Sequence, residues 1–75
     1  METVDITDLD PQKKFEIKLH ISLINYAERI IPEYKEKKDD LNGYITEQVS
    51  KIKMLLNIRS ENFKISENDK IIFKK

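Results

Sequence analysis

Hydrophobic and polar residues alternate from Phe15 to Leu23, in the stretch FEIKLHISLI. Two templates fit it. As a strand, Phe15, Ile17, Leu19, Ile21 and Leu23 line one face, and Glu16, Lys18, His20 and Ser22 the other. As a helix, Phe15, Leu19, Leu23, Tyr26, Ile30 and Tyr34 follow at steps of four, four, three, four and four. Ile17, Ile21, Ile24 and Ile31 then form a second stripe, roughly 200° around at about 3.6 residues per turn. Three grounds favour the helix. The first stripe runs on to Tyr34, whereas the alternation breaks at Leu23-Ile24. No glycine or proline separates a strand from the helix that would have to follow it. Asp10-Pro11 supplies a helix start, pairing a capping carboxylate with a first-turn residue that has no N–H to leave unpaired. A first helix is therefore predicted over about 11–38, kinked or ended at Pro32, with EYKEKKDD as a solvated final stretch.

Asp39 to Gly43 (DDLNG) holds the only glycine and reads as the turn. A second helix is expected over about 44–58, starting as early as Leu41. Leu41, Ile45, Val49, Ile52 and Leu56 mark its apolar face, widened by Tyr44, Met54, Leu55 and Ile58. A short connection makes the two helices an antiparallel hairpin. The segment 62–74 reads as a β-hairpin. A three-residue loop, Glu67-Asn68-Asp69, gathers Phe63, Ile65, Ile71 and Phe73 on one face, with Asn68 or Asp69 at positive φ. A two-residue loop would pair Ile65 with Ile72 and scatter them. Residues 1–9 are expected to be frayed or extended, although Val4 and Ile6 have the spacing of a short edge strand. The fold class predicted is α+β, mainly helical, in a single small domain over 1–75.

Charge adds little steering. The 14 basic and 14 acidic residues cancel. Residues 1–40 hold ten acids and seven bases, and residues 41–75 four acids and seven bases, so the chain is acidic first and basic last. No apolar run approaches the roughly 20 residues of a membrane span, and the acidic first ten residues are unlike a targeting peptide. With no cysteine, a cytoplasmic protein without disulfides is expected. Isoleucine and lysine number 12 each, a bias of AT-rich coding DNA such as that of many phages and mobile elements. Their small accessory proteins commonly bind and block, or bridge, a larger protein.

No catalytic pattern emerges. The one histidine, His20, sits among apolar neighbours, and Ser22, Ser50, Ser60 and Ser66 lie in no nucleophile motif. Asp39-Asp40 reads as a helix-terminal pair. One glycine cannot build a phosphate-cradling loop, and DDLNGYITEQ lacks the acidic spacing of a calcium loop. One histidine and no cysteine do not make a structural zinc site. The chain is expected to have no enzymatic activity, metal or cofactor, and to work by binding. Of the two helix stripes, Ile17, Ile21, Ile24 and Ile31 is the one expected to self-associate, giving a homodimer. Arg59, Lys64, Lys70, Lys74 and Lys75, with the bend at Pro32, form the surface expected to meet a larger protein. Interleaved with Phe63 and Phe73, the same basic residues suggest nucleic acid as the alternative partner.

Overall fold

The computed structural model describes residues 1–75. The chain runs through strand β1 (Glu2–Asp5), helix α1 (Pro11–Ile30), two single 3-10 turns (Ile31–Glu33 and Lys35–Lys37), helix α2 (Lys38–Leu56), and strands β2 (Phe63–Glu67) and β3 (Lys70–Lys74). It is an α+β fold, mainly helical, with an antiparallel helical hairpin on one side and a small sheet on the other. FEIKLHISLI lies wholly within α1.

Helix α1 starts where the sequence places it. The Asp10 carboxylate accepts the Lys13 backbone N–H at 3.3 Å, and Pro11 is the first helical residue. It ends at Ile30, two residues before Pro32. Proline donates no hydrogen bond, and its ring clashes with the carbonyl four residues back. The chain therefore reverses over Ile31–Lys37, and the expected turn at Asp39–Gly43 is not there. Asp39, Asp40 and Gly43 all belong to α2. The two aspartates sit in its first turn, where the helix dipole favours negative charge. At the other end Asn57 takes a left-handed conformation (φ 55°), and its N–H is shared between the Lys53 and Met54 carbonyls. The Ile58 N–H closes the last turn onto Lys53 O at 2.9 Å.

The sheet has three strands in the order β1-β2-β3. The N-terminal segment, expected to be frayed, is the third strand. It pairs parallel to β2 with Glu2 opposite Phe63 and Asp5 opposite Ser66. The Ile6 N–H extends the ladder to Ser66 O at 2.8 Å. Beyond it, Thr7 Oγ1 accepts the Asn68 N–H at 2.7 Å, tying this segment to the hairpin turn.

The hairpin loop has two residues and not three. Asn68 (φ 52°) and Asp69 (φ 65°) are both left-handed, as a tight type I′ turn requires. Glu67 faces Lys70, and Ser66 faces Ile71. The register then shifts, and Ile65 faces Phe73. Ile72 is the extra residue of a bulge. The bulge restores what the longer loop was expected to achieve, because Phe63, Ile65 and Phe73 all turn inward. The exception is Ile71, which is exposed.

The core is a cluster of Ile6, Ile17, Ile21, Ile24, Val49, Ile52, Ile58, Phe63, Ile65 and Phe73. The Phe63 and Phe73 rings lie 5.7 Å apart within it. Ion pairs fasten the sheet to α1: Glu67 reaches Lys14 at 3.2 Å and Lys18 at 2.6 Å. The molecule measures 40 × 21 × 19 Å. A 20-residue helix is about 30 Å long and a five-residue strand about 17 Å, so the sheet covers one end of the helical hairpin. The other end, where Pro32 to Asp40 are all exposed, projects beyond it.

Candidate functional site

The two stripes of α1 have opposite fates, and they are the reverse of the sequence expectation. Ile17, Ile21 and Ile24 are 0%, 6% and 1% exposed and pack against the sheet and α2. They hold the fold together and are not free to hold a second copy. Ile31, at the corner, is half-buried. The stripe expected to form the core faces solvent instead. Phe15 is 67% exposed, Leu19 47%, Tyr26 56% and Tyr34 48%.

Helix α2 completes this outer face. Leu23, Tyr26, Ala27 and Ile30 of α1 and Leu41 and Tyr44 of α2 line a groove of about 380 Å³, with Lys37 and Asp40 on its rim. Towards the corner the apolar lining continues to Tyr34, beside Glu36. Towards the other end it continues along Leu19, Met54 and Leu55, rimmed by Glu16, His20 and Lys51. The result is an apolar strip along the seam between the helices, on the side away from the sheet, interrupted between Tyr44 and Leu55 by the His20–Gln48 hydrogen bond and the Glu47–Lys51 ion pair. Its composition differs from that of the core. The core is mostly isoleucine, whereas the strip carries Phe15, three tyrosines and Met54. The Arg29 guanidinium lies 5.8 Å from the Tyr26 ring centroid at its edge. Aromatic residues, Met and Arg are the types enriched where proteins meet.

His20 has a structural partner. Its Nδ1 lies 2.6 Å from Oε1 of the buried Gln48, an arrangement in which the ring N–H donates to the amide oxygen across the two helices. This satisfies a polar group that would be costly to bury unpaired. Asp39 and Asp40 are both exposed at the start of α2. Nowhere do three His, Cys, Asp or Glu side chains gather as a metal-binding group.

The basic residues of the C-terminal half are only partly brought together. Lys64 and Lys74 are directly opposed across β2 and β3. Lys75 follows, its N–H bonded to Phe63 O at 3.0 Å. Lys70 lies at the far end of β3 by the turn, and Arg59 precedes β2. None of the five forms an ion pair. Phe63 and Phe73 are buried in the core, as the one-faced hairpin pattern predicts, and do not offer the stacking surfaces that the nucleic-acid alternative would use. No helix is long and apolar enough to cross a membrane.

Both α1 stripes are legible in the sequence, but the one expected at the surface is the one the fold buries. The usable signal was side-chain type: an all-isoleucine stripe against one carrying tyrosine, whose hydroxyl tolerates water. Comparison with known protein families, curated proteins and solved structures finds no match in any of the three.

Proposed function

We propose that this chain is a non-enzymatic, cytoplasmic protein-binding module, and that its docking surface is the apolar strip along the α1–α2 seam. The observation that carries this reading is the exposure of Phe15, Leu19, Tyr26 and Tyr34 in one line, joined by Tyr44 and Met54 of α2. Large exposed apolar patches rimmed by polar residues mark interaction sites. The groove between the helices suits the apolar face of a helix, one of the recurring ways in which proteins are recognised. Acting as an inhibitor or regulator, the module would occupy or bridge a larger protein through this face. The nucleic-acid alternative is weaker on this geometry. The lysines remain available to phosphates, but the aromatic rings that would stack on bases face inward.

The test compares the wild-type protein with a Leu19→Lys/Tyr26→Lys variant, each immobilised and exposed to an extract of its native cells. A protein retained by the wild type and lost from the variant is the expected result. Identical retention by both would overturn the assignment of the surface.

A further inference from the structure

We infer that the apolar strip is covered by a second copy of this chain, packed antiparallel about a two-fold axis near the middle of α1. The inference rests on the docking surface proposed above and names its occupant. Two observations select a copy over an unrelated partner.

The first is charge. At one end of the strip the rim carries Glu16 and Lys51, and at the other Lys37 and Asp40. Glu36 and Arg29 also lie at the corner end, so the rim mixes three acids with three bases and has no net sign with which to attract a strongly acidic or basic partner. A two-fold axis across the strip brings each end onto the opposite end of the copy. Glu16 then meets the Lys37 end, and Lys51 the Asp40 end. The same two contacts recur on the other side of the axis, as an isologous interface requires.

The second is area. At about 200 Å² for a large side chain fully exposed, the uncovered parts of Phe15, Leu19, Tyr26, Tyr34, Tyr44 and Met54 come to roughly 650 Å². A standard stable interface uses about 800 Å² per partner. The strip alone supplies about four-fifths of that area, and the charged rim lies around it. The assembled dimer has four layers, with a sheet on each outside and the two helical hairpins between them. It buries Leu19, Leu23 and Tyr26 against their copies, while the basic edge of each sheet stays free.

The chain has no cysteine, so single cysteines can report the geometry. Ser22 is exposed on the strip's flank, between Leu19 and Tyr26 and close to the midpoint of the stripe from Phe15 to Tyr34. Near a two-fold axis, it faces its own copy. Glu28 is equally accessible but lies roughly 200° around α1 from Tyr26. Under mild oxidation Ser22→Cys is expected to form a covalent dimer far faster than Glu28→Cys. Sedimentation of the wild type is expected to show a dimer at micromolar concentrations, and the Leu19→Lys/Tyr26→Lys variant a folded monomer. Equal crosslinking of the two cysteine variants would overturn the antiparallel packing. A wild type that stays monomeric at high micromolar concentration would overturn the dimer. If that monomer still captures a cellular protein through Leu19 and Tyr26, the docking surface stands with a different occupant. If capture is indifferent to those residues, both readings fall.

Discussion

Glu67 joins the sheet to the first helix. Its carboxylate is only 15% exposed and accepts from Lys18 and Lys14, while Lys14 also donates to the Thr7 carbonyl at 2.8 Å. These bonds, the Lys18 one first, hold the Glu67 carboxyl below the ordinary glutamate range. A carboxyl whose folded pKa is depressed stabilises the fold above its unfolded pKa, and the benefit is lost as pH falls through the folded value. Glu67→Gln should therefore be less stable than the wild type at neutral pH. The difference should shrink as the pH drops below the ordinary glutamate range. Urea melts at neutral and acid pH measure it, and a difference that does not vary with pH would remove the ionic role.

At the scale of the element, α2 contains a residue pair that argues against it. Asn42-Gly43 is a turn signal, and glycine inside a helix costs about 1 kcal/mol relative to alanine. The helix forms through it because Pro32 has already ended α1 and the 3-10 turns have already reversed the chain. Leu41, Ile45, Val49, Ile52 and Leu56 then keep one face of α2 at least half-buried across that point. Local turn propensity lost to packing, a contest that no short window of sequence displays. The backbone at Gly43 has no positive φ, and an added Cβ would meet nothing within 4 Å. Gly43→Ala should raise stability by about 0.5–1 kcal/mol, read from the midpoint of thermal or urea unfolding. A loss of stability would mean that the chain turns at Gly43 after all. The hairpin turn shows the reverse situation. Asn68 and Asp69 gave the turn away, but the bulge at Ile72 did not, because its purpose is visible only once Phe73 must meet Ile65.

At the scale of the whole molecule, one choice separates the expected protein from the one found: which α1 stripe is core. Periodicity shows that two stripes exist and cannot rank them, since both repeat at the helical spacing. The sheet ranks them, and its first strand comes from the segment expected to fray. Once Ile6 is buried beside Ile65, the isoleucine stripe has a surface to meet and the tyrosine stripe has none. A matched pair of substitutions reads the result directly. Ile21→Lys places an unpaired charge in the core at a cost of several kcal/mol. That is comparable to the total stability expected of 75 residues, about 4–11 kcal/mol. Circular dichroism should find Ile21→Lys unfolded and Leu19→Lys folded. The opposite outcome would return the isoleucines to the surface.

The parallel pairing of β1 with β2 also orders events in time. Val4 meets Ile65 across some sixty residues of intervening chain, whereas the helical hairpin and the β2–β3 turn are closed by neighbours. Contacts so distant along the chain form slowly, because a long loop must close before they reward it. Of the three strands, β1 is therefore the one expected to be seated last. Until it docks, the inner faces of Ile17 and Ile65 lack the side chain of Ile6, and the nascent protein is apolar on both sides of its helices.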